Sequence, residues 1–255
     1  MTALSSPSLP ALLRLEQIGK SFGAIQALSG VDLAVAPGEA VGLMGDNGAG
    51  KSTLVKIIAG NFPPTIGRIA FAGSDVTLAT PGAARAIGIE IVYQDLALAD
   101  NLTAAANVFL GRELRRQVGP FRLLDHRGME RRTASLFAEL KSETRAGDLV
   151  RQMSGGQRQA VAIARTRLSN ARLVIMDEPT AAISVRQIAE VLALIGRLRA
   201  AGVAVILVSH RMPDVFDTCD RVVVMRRGRK IADKPIANSS PQEITALITG
   251  AVEAA

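Results

Sequence analysis

The stretch AVGLMGDNGAGKST, residues 40–53, constrains the fold more than any other. Ala40 to Met44 read as a buried strand. The chain then runs straight into a glycine-rich loop, and after it Leu54, Ile57 and Ile58 take up helical spacing, with Gly60 as the stop. Gly45, Gly50, Lys51 and Ser52 fit the phosphate-loop pattern, in the strand-then-helix context that pattern requires. The loop is Gly45, Asp46, Asn47, Gly48, Ala49, Gly50, Lys51, Ser52 and Thr53. Its glycines let backbone N–H groups turn toward a phosphate. Lys51 adds a point charge near the β and γ phosphates, and the Ser52 hydroxyl can bind Mg²⁺.

A second stretch completes such a site. LVIMDEP, residues 173–179, is an apolar strand ending in Asp177 and Glu178. An acid at that edge can hold the shell of a divalent cation, and the next can orient or deprotonate an attacking water.

The rest of the chain is consistent with an α/β core. LLRLEQI, VDLAV, RIAFAG and IEIVY read as strands. VAVILV (203–208) and RVVVM (221–225) are continuous apolar runs, as in strands buried on both faces of a parallel sheet. Thr80 and Pro81 open a helix that Gly88 stops. Ile188, Val191, Leu192, Ile195 and Leu198 share one helical face. MRRGRKIA reads as a hairpin turn, and Ser240, Pro241 and Glu243 sit in capping-box positions for a final helix. From about 95 to 165 helical periodicity dominates and no strand is expected. The Ser/Pro-rich residues 1–10 read as a disordered tail.

Composition narrows the function classes. The lone Cys219 excludes an internal disulfide, and no Cys/His cluster points to a metal centre, which fits a reducing cytosol. LPALLRL is too short for a signal peptide and is broken by Arg14. No apolar run approaches the roughly 20 residues that cross a bilayer. The net charge of +7 is uneven. Residues 111–172 hold 14 Lys/Arg against 6 Asp/Glu, while the remainder holds 16 against 17. A basic face of this kind suits nucleic acid, anionic lipid or an acidic partner, or is simply a solvated helical surface. Within it, RQMSGGQRQ (151–159) is a Ser/Gly turn feeding a helix N-terminus, which is either a second anion site or an ordinary capping turn.

Taken together, these motifs resemble the ATP-binding-cassette (ABC) ATPases over about residues 12–235. MSGGQ (153–157) is similar to that family's signature motif, Gln94 after IEIVY to its Q-loop glutamine, and His210 after VAVILVS to its switch histidine. Phe22 in KSFGAIQAL matches the aromatic position that stacks on adenine. The resemblance implies a P-loop NTPase cassette: a mainly parallel core sheet, an N-terminal antiparallel β subdomain and an inserted helical subdomain. In this sequence it implies one domain over 11–250, with nucleotide core 11–94 and 166–235, helical subdomain 95–165, and a C-terminal helix and tail at 236–255. It also implies ATP and Mg²⁺ as cofactors. Ser52, Gln94 and Asp177 act at the metal, partly through water, Glu178 is the general base, His210 contacts the γ-phosphate and the water, and Gln94 counts with Glu178 and His210 as catalytic. Two cassettes pair head to tail in that family, so Ser154, Gly155, Gly156 and Gln157 would meet the partner's nucleotide, which accounts for a chain with two phosphate-binding stretches.

DNGAGKST, residues 89–113 and DEPTAAIS further resemble ATPase subunits of bacterial monosaccharide importers, closest to the single-cassette fructose and ribose types. Those imply membrane permease subunits docked near Leu96–Arg116. They also imply a substrate-binding protein acting indirectly, no nucleic-acid partner, and a peripheral place on the cytoplasmic face of the inner membrane. A membrane-facing surface then accounts for the basic segment, including Arg115, Arg116, Arg131 and Arg132. Two positions depart from the family pattern: Ser184 stands where Asp is usual, and Met153 where Leu is usual. A soluble ATP-operated clamp on DNA or ribosomes, or an ABC ATPase with another cargo, is the competing reading.

Overall fold

A computed structural model describes residues 11–92, 98–140, 142–168, 170–181 and 185–252. Gln94, Ser184 and the tail 1–10 lie outside the described residues, as does part of Leu96–Arg116. In chain order the strands are β1 (Leu13–Phe22), β2 (Ile25–Val35), β3 (Ala40–Met44), β4 (Ile66–Phe71), β5 (Ser74–Asp75), β6 (Ile89–Val92), β7 (Arg115–Val118), β8 (Phe121–Leu124), β9 (Leu173–Asp177), β10 (Ala204–Val208), β11 (Arg221–Arg226) and β12 (Arg229–Pro235). The helices are α1 (Lys51–Ile58), α2 (Pro81–Ala86), α3 (Ala104–Val108), α4 (His126–Glu139), α5 (Gly155–Leu168), α6 (Val185–Ala200), α7 (Met212–Thr218) and α8 (Pro241–Thr249).

The chain divides into two compact units. One gathers Met1–Ile91, Arg172–Glu178 and Ile195–Ala255; the other gathers Val92–Ala171 and Pro179–Leu194. The second unit thus takes the first turns of α6, which the expected 95–165 insertion does not include. Hydrophobic spacing reports that a helix forms, not which neighbours its turns join.

The first unit is built on a six-stranded sheet in the order β12-β11-β3-β10-β9-β6. β3 and β10 are buried throughout and β9 nearly so, as their unbroken apolar sequences require of strands covered on both faces. β3 runs parallel to both neighbours, pairing Leu43 with Val208 of β10 and Met44 with Val224 of β11. Val208 also pairs with Asp177 of β9. The C-terminal ends of β3, β9 and β10 therefore share one edge, and the loops leaving that edge carry the candidate chemistry. β12 closes the other side antiparallel to β11 through a two-residue turn, Arg227–Gly228, both with positive φ (48° and 76°). Arg221 fastens this side. Its guanidinium donates to Glu39 Oε1 at 2.6 Å, to Asp233 and to the Ala34 carbonyl. A second sheet, β2-β1-β4-β5, is antiparallel. Leu13, Leu15, Ile18, Leu28, Val31 and Val35 carry its apolar face into the core shared with α1 and the central strands.

The second unit packs Val108, Phe109, Met129, Leu136, Phe137, Val150 and Val161 from α3, α4, α5 and their loops. Asn107 is fully buried and satisfied. Its amide donates to the carbonyls of Ala99 and Thr103 at 3.0 Å, and its oxygen accepts the Ala99 N–H at 2.7 Å. Helical periodicity predicts no strand in this region, yet β7 and β8 form an antiparallel hairpin there. Arginines in both strands blur the period-two alternation, and only Gly119–Pro120 marks the turn. The α6 stripe keeps Ile188, Val191, Ile195 and Leu198 buried, but Leu194 is buried with them while Leu192, expected on that face, is half-buried.

Candidate nucleotide site

Glycine is required in the loop after β3 for steric reasons. A Cβ on Gly45 would lie 2.2 Å from the Met225 carbonyl oxygen. One on Gly50, at φ 102°, would meet Leu28 at 2.7 Å and the Ala27 carbonyl at 3.0 Å. The loop is thereby pressed between β11 and β2. The β11–β12 turn props it from below, with Gly228 N–H donating to Ala49 O at 2.9 Å. α1 begins at Gly50 in a left-handed conformation, with no side-chain cap and no acid in its first turn. Its N-terminal amides and dipole end are the elements of an anion site. Lys51 is buried, and its ammonium donates to the carbonyls of Gly45 (2.6 Å) and Asp46 (2.9 Å). Burial lowers the Lys51 pKa, against the opposing charges of Glu178, Asp46 and Asp177. Ser52, Asp46, Asn47 and Gly48 are exposed, Thr53 is half-buried and Ala49 is buried.

The acids and the histidine stand at the same sheet edge. Burial, and then the Glu178 charge beside it, raises the Asp177 pKa above the ordinary carboxylate range. Glu178 has φ 52°, a left-handed conformation uncommon outside glycine, and its N–H donates to Val208 O at 2.9 Å. That bond turns the chain at the end of β9 and aims the carboxylate toward the loop after β10. There His210 Nδ1 lies 2.6 Å from Glu178 Oε2. The His210 side chain is 64% exposed and that of Glu178 25%, so the imidazole reaches solvent while the carboxylate is partly sheltered. Ser209 beneath it is fully buried and accepts the Arg211 N–H at 3.0 Å.

Phe22, at the end of β1, is 48% exposed. Phe62 packs against it edge to face, ring centroids 5.3 Å apart at 88°. The Lys20 ammonium lies over both rings, 5.3 Å and 4.8 Å from their centroids, and donates to Pro63 O at 2.7 Å. Sequence reasoning missed Phe62 and Lys20. Phe62 lies between a glycine stop and two prolines, where an aromatic normally reads as loop packing; a chain with seven Phe and no Trp makes each exposed aromatic informative.

Ser154, Gly155, Gly156 and Gln157 belong to the second unit. Ser154 Oγ accepts the Gln157 N–H at 3.3 Å, and Gln157 Oε1 accepts the Ser154 N–H at 2.9 Å: a capping box at the start of α5. The turn before it is stitched to the start of α3, with Ala104 N–H to Asp148 O at 2.9 Å and Val150 N–H to Leu102 O at 3.1 Å. The structure thus brings the phosphate loop, Asp177, Glu178 and His210 to one edge and holds the MSGGQ turn in the other unit. Among the described residues no group of three or more His, Cys, Asp or Glu side chains could hold a metal by itself.

The ABC transporter family model matches residues 28–181. The chain belongs to the ABC transporter family. The ribose import ATP-binding protein of Yersinia pestis is 43% identical over 239 residues, covering 94% of this cassette and 46% of that protein. The cassette spans about half the length of that relative. The xylose/arabinose import ATP-binding protein of Sulfolobus acidocaldarius is 41% identical over 241 residues, covering 93% of this cassette and 94% of that protein. A solved dimeric ATP-binding cassette in a post-hydrolysis state, bound to ADP and phosphate, matches with a TM-score of 0.70 at 26% identity, over 88% of this chain and 98% of that one. The P-loop cassette fold expected from sequence is therefore the fold observed.

Proposed function

We propose that the chain is the ATP-binding and hydrolysing subunit of an importer for a small sugar. The observation that carries this reading is the convergence, at one sheet edge, of the Lys51 loop, Asp177 and the Glu178–His210 pair at 2.6 Å. The loop amides and the α1 dipole bind the nucleotide phosphates, and Lys51 turns its ammonium from its own carbonyls to the β and γ oxygens. Phe22, braced by Phe62, offers an aromatic face to adenine. Glu178 takes the proton of a water whose oxygen attacks the γ-phosphorus. The bond to the leaving ADP oxygen breaks, and phosphate carries the rest. With Nδ1 on Glu178, His210 keeps Nε2 for the γ-phosphate or the water.

The donors fit Mg²⁺. Ser52 supplies a hydroxyl and Asp177 a carboxylate, the hard oxygens that together with nucleotide phosphates make up such a shell. When bound, that ion neutralises charge on the phosphates. Gln94 is proposed to join this shell.

Ser154, Gly155, Gly156 and Gln157 are proposed to close on the nucleotide of a second cassette, most simply another copy of this chain. The dimeric relative supports that arrangement. A hydroxyl has one donor and two acceptor sites, so Ser154 can cap α5 and still donate to a γ-phosphate oxygen. ATP favours the closed pair, closure moves separate permease subunits, and hydrolysis reopens it. The two sugar-import relatives support a monosaccharide as cargo, delivered by a binding protein that the cassette does not touch. Among the described residues no helix is long and apolar enough to cross a membrane. We place the cassette peripherally, on the cytoplasmic face of the inner membrane, through its permease.

The test is affinity capture of the tagged chain from detergent-solubilised membranes of its own cell. A multi-span permease is the expected partner, with ATP-dependent monosaccharide uptake lost when the chain is removed. Recovery of ribosomes or DNA-bound proteins without a permease overturns the proposal.

A further inference from the structure

The β7–β8 hairpin is exposed at every position of both strands. A ribbon of two strands is marginal by itself in water. This one is held at its base, where the Asp125 N–H donates to Leu114 O at 2.8 Å, and turns at Gly119 with φ 60°. Its pairs are Val118 with Phe121, Arg116 with Leu123, Gln117 with Arg122 and Arg115 with Leu124. Paired residues share a face and neighbours along a strand alternate. One face therefore carries Val118, Phe121, Leu123 and Arg116; the other carries Arg115, Arg122, Gln117 and Leu124. Phe121 is 68% exposed, Leu123 48% and Val118 45%. No acidic residue occurs between Leu114 and Leu124.

We propose that this hairpin binds the surface of an anionic phospholipid bilayer. Exposed apolar side chains concentrated in this way mark a contact surface. The chemistry beside them selects the occupant. Arginine forks match phosphate oxygens two at a time, and phenylalanine at the tip suits the boundary between headgroups and acyl chains. A protein partner would need a groove shaped to a ribbon that is open on both faces and at its turn. A lipid surface supplies phosphates to one face and hydrocarbon to the other without one. The inference rests on the proposed function only in having the chain work at a membrane, and it gives the chain a hold there independent of any permease.

The test is co-sedimentation of the purified full chain with protein-free vesicles, either pure phosphatidylcholine or phosphatidylcholine mixed with phosphatidylglycerol. Binding is expected to the anionic vesicles alone, weakening as salt rises. Each arginine beside such a surface multiplies affinity about five-fold. The combined Arg115→Gln, Arg116→Gln, Arg122→Gln variant should therefore bind about a hundred-fold more weakly. Phe121→Ser keeps every charge and should lose about ten-fold, the scale of exposing one buried aromatic. ATP turnover of both variants in vesicle-free buffer should match the parent; a parent without turnover defeats the proposed function and leaves the vesicle result standing. The lipid proposal is overturned if the parent ignores anionic vesicles, if both variants bind as the parent does, or if binding appears only when vesicles contain the permease.

Discussion

Two helix beginnings in this molecule face the same problem with opposite solutions. α1 starts at a glycine with no side-chain cap and no acid in its first turn. α5 starts at Ser154, whose hydroxyl and whose partner Gln157 cap each other. Every helix start carries unpaired N–H groups that something must satisfy. At α1 no side chain does so; a phosphate is the proposed partner, with Lys51, Asp177 and Glu178 at the same edge. At α5 the Ser154 and Gln157 side chains satisfy two such groups within the chain. We propose the first as a binding site within one chain. The second is proposed to gain its ligand only when a second cassette brings one. Two Gly-rich turns that look alike in sequence thus differ in whether the chain supplies its own cap.

The largest effect separates chemistry from binding at the first helix start. Glu178→Gln should lower ATP turnover by ~10²–10⁴-fold, the usual contribution of a positioned base, with nucleotide affinity kept. Turnover near that of the parent would remove Glu178 from the role. Gly45→Ala forces a methyl against the Met225 carbonyl and should cost ~1–3 kcal/mol of stability, as overpacking does. It should also abolish the nucleotide-induced rise in melting free energy, ~2.7 kcal/mol at a hundredfold excess over Kd. A thermal melt with and without ATP reads both, and a full nucleotide-induced shift would mean the loop tolerates the methyl.

Ser154 divides the two roles of the second helix start. Ser154→Ala should cost ~0.5–2 kcal/mol through the lost cap and leave the nucleotide-induced stabilisation of the single chain unchanged. Ser154→Asp restores a cap but places a negative charge before phosphate, so stability should return while turnover stays low. Recovery of both with Asp would show that Ser154 only caps α5. The smallest effect is at Phe62. Replacing it with leucine removes an aromatic pair worth ~0.5–1.5 kcal/mol, and ATP affinity should fall by that amount through a less fixed Phe22. Equal loss for a nucleotide lacking the base would rule out the bracing role.

The sequence made the first region legible because its constraints are local. The strand, the glycines, Lys51 and the start of α1 are contiguous, and Asp177, Glu178 and His210 each follow an unbroken apolar strand. What brings them together was not legible. The alignment of Leu43, Asp177 and Val208 across the sheet, the left-handed turn at Glu178 and the 2.6 Å contact with His210 are properties of the folded edge. In the second unit less could be read. β7 and β8 were missed because three arginines disguise their alternation, and Phe62 because a loop aromatic has no period. The Ser154 turn reads from sequence as either an anion site or a capping turn, and only the folded Ser154–Gln157 pair shows that it caps α5.

β3 lies near the beginning of the chain, and both of its neighbours in the sheet, β10 and β11, lie near the end. During synthesis the phosphate loop therefore leaves the ribosome long before anything exists to hold it. Its glycines rest on Met225 and the Arg227–Gly228 turn, made some 180 residues later. Such distant pairing folds slowly. The expected consequence is an order of events: a nascent chain bearing the complete GDNGAGKST motif should not hold a nucleotide until almost the whole cassette has emerged. On this reading the acquisition of ATP comes at the end of folding.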